Sequence, residues 1–416
     1  MRVETRKKVA RLVVKFGGSS LSSPRRLSRA AETVRQTVEA GVQAAVVVSA
    51  MGRTTDDLLE ATHAISSSNK SERVDDILSM GERTSARIFH TALSTQGLAS
   101  KCFDPHDDDW PISTDDSFGD ATPLLPICQQ RIRRYILPCL EKGAVPVLPG
   151  FVGKTADGRI TTMGRGGSDI TAFVLARSLP AEESVLVTDS DGLMTADPKL
   201  VRNARPIPRI SIQELVRIAD SGTKFLKTKA LQYLDDTFTV RIVSNTAPSL
   251  RSGGTTITGA FSSLFEAKLE STNPSTMITI TGKHISQDPK IMKEILSKAS
   301  GQKARILGLS ANSDSLILYL SSQRGRLVEE LHDSVLAHRE TTAMAIRENL
   351  SMIRIAGFGL VEKPGLVASV AEPLRENSLN IYGIFTIASS IVLLVDWMQR
   401  EKALHLARKA LKGMTR

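Results

Sequence analysis

The sequence predicts an α/β protein: an open, mostly parallel sheet sandwiched by helices, followed by two smaller βαββαβ units. Three observations carry this. Apolar runs without polar alternation occur at 12–16, 44–49, 144–148 and 184–187, as expected for strands covered on both faces. The first run leads through a glycine turn into a helical stretch with apolar positions through Val34 and Val38, then into the second run; this is a βαβ unit. The C-terminal part repeats itself. Met277-Ile278-Thr279-Ile280-Thr281-Gly282 returns as Met352-Ile353-Arg354-Ile355-Ala356-Gly357, a shift of 75 positions. The same shift carries Pro289 onto Pro364, Gly308 onto Gly383 and Ser315-Leu316-Ile317-Leu318 onto Ser390-Ile391-Val392-Leu393, without a gap.

In chain order, residues 1–270 form the large α/β domain. A polar stretch at 270–275 marks a boundary, and the repeats occupy 275–345 and 346–416. Each repeat reads as a strand, a Pro-bearing loop, a helix, a hairpin and a last helix. A small sheet with helices on one face needs a partner, so the two copies are expected to pack against each other.

Composition bounds the function. A length of 416 residues with 41% hydrophobic content suffices for two or three domains, and 24% charged residues exclude general disorder. The net charge of +10 fits either a polyanionic partner or an ordinary basic surface. No nucleic-acid motif is present and aromatic residues are 4%, so no nucleic-acid partner is expected. Cys102, Cys128 and Cys139 form no CxxC pair and no metal spacing; they read as reduced thiols of a cytoplasmic protein, and no protein-held metal is expected. No apolar run is long enough to span a bilayer, and the basic residues 1–8 lack the apolar core of a secretory signal.

Four segments carry chemistry. Lys15-Phe16-Gly17-Gly18-Ser19-Ser20 ends the first strand; its glycines let backbone amides approach phosphate, and Lys15 could reach over the turn to a transferring phosphoryl group. In Thr161-Thr162-Met163-Gly164-Arg165-Gly166-Gly167-Ser168-Asp169 a turn enters a helix near Ser168, which could cap it. Arg165 offers a fork for a carboxylate or phosphate there, and Asp169 is either a dipole-compatible acid or a catalytic one. Thr188-Asp189-Ser190-Asp191-Gly192 and Thr195-Ala196-Asp197-Pro198-Lys199 follow a buried strand, where polar groups suit ribose and phosphate-bound magnesium, or form only an Asx-rich turn. In Ser79-Met80-Gly81-Glu82-Arg83 an acid opens a helix, as a cap or as the partner of an ammonium group.

Together these segments resemble the aspartokinases of the amino-acid kinase superfamily. Residues 15–20 resemble that family's K-F-G-G-[ST]-S, and Ser49-Ala50-Met51-Gly52 with Thr54-Thr55-Asp56 resembles its S-A-M-G-x-T-T-[DN]. Residues 79–82 resemble its [ST]-x-G-E, and 164–169 its G-R-G-G-S-D at every position. Residues 188–198 resemble its T-D-x-D-G-x-x-T-x-D-P. The repeats are similar to its paired ACT-like, ferredoxin-like regulatory domains. The resemblance spans nearly the whole chain, in order.

It implies ATP, with Mg2+ bound through the ATP phosphates, and L-aspartate, phosphorylated on its side-chain carboxylate to 4-phospho-L-aspartate at the head of lysine, threonine and methionine synthesis. It further implies that Lys15 binds the phosphates and stabilises the phosphoryl group in flight while Asp169 orients it. Arg165 and Glu82 hold the α-carboxylate and α-ammonium of aspartate, and Ser49, Thr55, Gly166, Gly167 and Ser168 complete that pocket. Gly17, Gly18 and Ser19 present amides to phosphate, and Thr188, Asp189, Met194, Thr195, Asp197, Pro198, Lys199 and Lys224 form the nucleotide rim. Met194 stands where the family often has an aromatic, Lys199 replaces an arginine, and Leu226-Lys227-Thr228-Lys229 replaces L-H-P-R. A homodimer or higher homo-oligomer through the ACT-like domains, with lysine or threonine as effector, is the family expectation. Two other readings stand beside it: another kinase of the superfamily, or a non-catalytic amino-acid sensor.

Overall fold

The chain divides into two units, residues 1–262 and 263–416. The computed structural model describes residues 9–65, 71–197, 199–219, 228–260, 265–301, 304–321, 326–357, 364–387 and 390–413.

The first unit grows from the apolar runs. In chain order it holds β1 (Arg11–Phe16), α1 (Pro24–Glu39), β2 (Gln43–Val48), α2 (Thr54–Ile65), α3 (Glu72–Thr95), β3 (Ser100–Cys102), α4 (Leu125–Arg131), α5 (Leu137–Glu141), β4 (Val145–Pro149), β5 (Val152–Lys154) and β6 (Ile160–Thr162). It continues with α6 (Gly167–Ser178), β7 (Glu183–Thr188), β8 (Arg209–Ser211), α7 (Ile212–Ala219), α8 (Thr228–Leu231), β9 (Thr239–Ser244) and β10 (Thr255–Thr258). Eight strands form one sheet in the order β3-β4-β2-β1-β7-β9-β10-β8. All neighbours from β3 to β9 are parallel, and β10 returns antiparallel to β9.

Side chains alternate across a strand, so β1 serves two layers. Leu12, Val14 and Phe16 join α1 and α3 in one core with Val46, Val48, Ala31, Val34 and Phe89. Val13, also fully buried, and Lys15 take the opposite face, over which α6 packs against β1, β2 and β7. α6 is buried almost all round, as a helix beneath further structure must be. β1 lies in the middle of the sheet with its carboxyl end beside those of β2 and β7, which sets Lys15 among the loops that follow several strands.

The second unit holds β11 (Phe265–Leu269), β12 (Ser275–Gly282), α9 (Pro289–Gly301), β13 (Ile306–Asn312), β14 (Ser315–Ser321), α10 (Arg326–Ala337), β15 (Thr341–Gly357), α11 (Leu366–Glu376), β16 (Gly383–Ile387), β17 (Ser390–Asp396) and α12 (Arg400–Gly413). The two repeats lie side by side in one seven-stranded sheet. β15 belongs to both: its first half pairs with β12 and its second half with β17. The change falls at Asn349, whose φ of 59° is one that asparagine tolerates better than most residues. α9 and α10 share a core with β12 and β14, while α11 and α12 share another with β15 and β17.

The repeats close differently. The first takes its last strand from the start of β15. The second takes it from β11, which precedes the first repeat in the chain and pairs antiparallel with β15 from Phe265 to Leu269. The second unit therefore begins ahead of the polar stretch at 270–275, and each copy is not a self-contained run of βαββαβ.

Candidate active site

Beyond the carboxyl ends of β1 and β2 lies a cavity of about 490 Å³. Lys15 from β1, Ser49 after β2, Thr55 in the first turn of α2, Glu82 on α3, Arg165, Gly166, Gly167 and Ser168 ahead of and within α6, and Asp169 all line it. These are the sequence-derived substrate-side and catalytic positions, drawn together from five separate segments.

Lys15 crosses the cavity wall to α6, where its Nζ lies 2.7 Å from Oδ1 of Asp169. Asp169 is 8% exposed and stands in the first turn of the helix, where the unpaired amides and the dipole favour negative charge. Gly166, not Ser168, occupies the N-cap of α6; it has φ of 87°, and no side chain caps the helix. The sequence expectation that Ser168 caps is thus corrected: Ser168 lies inside the first turn because the chain must reverse through a left-handed residue, which glycine adopts freely. The reversal is tight on the other side as well. A Cβ on Gly167 would lie 2.8 Å from Cδ2 of Phe151, a cavity-lining residue that itself has φ of 68°.

Glu82 also departs from expectation. It lies in the middle of α3, not at a helix start, and α3 opens at Ser71, whose side chain caps Val74. Glu82 is 4% exposed; its Oε1 accepts a bond of 3.2 Å from the Thr55 hydroxyl, and its Oε2 has no partner among the described residues. Burial pushes its carboxyl up to about 7, opposed by the Ala50 amide, the Thr55 hydroxyl and the nearby Lys15 charge. Gly81 makes this approach possible, because a Cβ there would lie 3.0 Å from that of Ala50. Arg165 is exposed at the cavity mouth and forms no hydrogen bond or ion pair among the described residues. The pocket therefore offers a buried, half-satisfied carboxylate, an unpaired guanidinium and a lysine at a helix N-terminus.

The glycine turn sits beside Lys15. Gly17 donates its amide to the Val187 carbonyl at 3.2 Å, and a Cβ on Gly18 would lie 2.7 Å from the Ala50 carbonyl oxygen. Ser19 follows in a short helical turn, whose first amides have no partner within it. Thr188 ends β7 next to this turn, and Asp189 follows it. Met194 bridges Pro206, the Thr195 hydroxyl accepts from the Arg205 amide at 3.0 Å, and Asp197 accepts from the Lys199 amide at 2.8 Å. None of these rim residues lines the cavity. Pro198, Lys224 and Lys227 lie outside the described residues.

Sequence reasoning missed Asp56, Leu59, Leu78, Gly119, Phe151, Thr162 and Gly164 as lining residues, and Asp75 behind them. Asp75 had a signal: an acid one position after Val74 and three before Leu78, on the buried stripe of an amphipathic helix.

Comparison with known proteins bears on the family and the fold. The family model described as "Amino acid kinase family" matches residues 10–244. The aspartokinase of Geobacillus stearothermophilus is 30% identical over 392 residues, covering 92% of this chain and 93% of its own. Among solved structures, the aspartate kinase from Synechocystis shares the fold with a TM-score of 0.77 at 23% identity, over 96% of this chain and 69% of that one. E. coli aspartokinase III, solved with aspartate and ADP, has a TM-score of 0.54 at 23% identity, over 96% and 99%. With more than half of its length matched by the family model, the chain belongs to the amino acid kinase family.

Proposed function

We propose that the chain is an ATP-dependent aspartate kinase that transfers the γ-phosphoryl group of ATP to the side-chain carboxylate of L-aspartate, giving 4-phospho-L-aspartate and ADP. One observation carries the reading: the buried carboxylate of Glu82, with an oxygen left unpaired, shares a cavity with the unpaired guanidinium of Arg165 and with Lys15. An α-amino acid supplies the complement of both, an ammonium for Glu82 and a carboxylate for Arg165. That leaves the β-carboxylate to meet the phosphoryl group near Lys15. The acceptor carboxylate is already ionised at neutral pH, so no general base is required. Phosphoryl transfer then needs positioning and charge stabilisation, which Lys15, held by Asp169, and the amides at the start of α6 are suited to give.

The glycine turn supports a nucleotide, because its backbone lies where a side chain would collide with the Ala50 carbonyl. Magnesium would arrive on the ATP phosphates and neutralise part of their charge; no cluster of three or more metal-ligating side chains occurs among the described residues. The reading assigns 1–262 to catalysis and 263–416, with its two interleaved repeats, to ACT-like regulation and self-association as a homodimer. Lysine or threonine would be the effector, in a cytoplasmic enzyme of lysine, threonine and methionine synthesis. No helix among the described residues is long and apolar enough to cross a membrane.

The test is acyl-phosphate formation trapped with hydroxylamine, across aspartate, glutamate and acetylglutamate. Aspartate is expected to give the hydroxamate and the others little; product from acetylglutamate alone would assign another reaction of the family. Calorimetry with lysine and threonine, and sedimentation of the full chain, test the regulatory part.

A further inference from the structure

We infer that Asp75 is a positioning residue that fixes the separation between Glu82 and Arg165, and so the fit of the cavity to an α-amino acid of one hand. The inference rests on the aspartate-kinase reading above. Asp75 is fully buried on α3. Its Oδ2 accepts from the backbone amides of Gly119, at 2.9 Å, and Thr162, at 2.7 Å, while its Oδ1 accepts from the Thr162 hydroxyl at 2.9 Å. Glu82 lies two helical turns further along the same buried stripe. Thr162 ends β6 and leads through Met163 and Gly164 to Arg165.

One carboxylate therefore ties the strand that delivers Arg165 to the helix that carries Glu82. The Gly119 bond adds the wall behind the loop. Asp120, next in the chain, has its Oδ1 only 2.7 Å from where a Cβ of Gly164 would stand, and Lys229 clamps Asp120 Oδ1 at 2.6 Å and the Met163 carbonyl at 3.3 Å. Burial pushes the Asp75 carboxyl up, opposed by these same hydrogen bonds. The task is geometric and not one of charge, since an asparagine can satisfy every partner. Its carbonyl can accept both amides, and its NH2 can donate to the Thr162 hydroxyl, which accepts as readily as it donates. A serine is too short to span to Gly119 and Thr162 together.

The experiment compares the full-length wild type, Asp75→Asn and Asp75→Ser in the hydroxamate assay with L-aspartate, D-aspartate and varied ATP, beside thermal unfolding. Asp75→Ser is expected to raise KM for L-aspartate by about tenfold or more, with KM for ATP within about twofold, and to lower the preference for L- over D-aspartate by about tenfold. Asp75→Asn is expected to stay within about threefold of wild type on each measure. The preference between enantiomers is the decisive readout, because lost stability alone lowers the amount of active enzyme without changing that ratio. Unchanged selectivity in a folded Asp75→Ser overturns the inference. So does an Asp75→Asn as impaired as Asp75→Ser, which would assign the effect to charge, and so does an Asp75→Ser that fails to fold while Asp75→Asn folds, which would leave a fold anchor only. A wild type that makes no hydroxamate from aspartate fails the functional reading itself, before any variant is compared.

Discussion

In the pocket, Thr55 meets Glu82 from 27 positions away and Thr162 meets Asp75 from 87, whereas along the rim Lys199 bonds Asp197 two positions away and Arg205 bonds Thr195 ten away. The pocket is a product of the whole sheet. Its walls are strand ends and helix faces brought together by the core, and each polar contact bridges two elements. The rim is a loop that holds itself, and its hydroxyl and carboxylate are already engaged with its own amides. A change in the pocket therefore removes a group that no neighbour can replace, while a change in the rim first loosens a local turn.

Lys15 bridges the pocket from β1 to Asp169 on α6 and should show the largest effect. Lys15→Ala is expected to lower turnover by about two orders of magnitude, the scale of losing one donor to developing charge, with the fold kept. Near-normal turnover would break the comparison at its centre. Next come the pocket's two ends: Arg165→Ala and Glu82→Ala should each raise KM for aspartate by about tenfold or more with little change for ATP. An effect on ATP alone would move these residues to the other region.

A smaller and more diagnostic effect is in pH. The Glu82 carboxyl titrates at about 7 in the free pocket, and only its ionised form attracts the substrate ammonium. kcat/KM for aspartate should therefore fall as pH drops through about 7, while kcat at saturating aspartate, which keeps Glu82 ionised, falls at a lower pH. Glu82→Gln should flatten that limb. The smallest effect is expected at the rim: Thr195→Ala leaves one exposed amide of Arg205 to water and should change KM for ATP by about threefold or less. A larger change would show that the Thr195 hydroxyl meets the nucleotide itself.

The same division decides what could be read from the sequence. The apolar runs, the glycine turns and the short motifs around Ser49, Glu82 and Arg165 are local signals, and with the family resemblance they pointed to the sheet and to nine of the residues that line the cavity. Glu82 was legible as a cavity residue but not as a mid-helix one, because α3 starts ten residues earlier at Glu72, beyond the span of the motif. Phe151 was not legible, and for Asp75 the pattern could mark a buried acid but not its partners. Asp75 acquires meaning only through Thr162 and Gly119, and Phe151 only through its left-handed backbone against Gly167. The repeat was found from its spacing, but the spacing could not show that the second copy borrows β11, since a strand pairing across the first copy leaves no trace in either copy's own pattern.

That borrowed strand bears on how the chain is made. Synthesis releases β11 ahead of the first repeat, yet its partners in β15 and its cover in α12 come only after that repeat. The first repeat, with all its strands in sequence between Ser275 and the start of β15, can close while β11 is still waiting. Holding that early strand against a partner this distant carries a larger loop-closure entropy, and an unpaired apolar edge is exposed throughout the delay. Nascent chains arrested before α12 should therefore be the aggregation-prone species of this protein, and the emergence of α12 the step that covers β11.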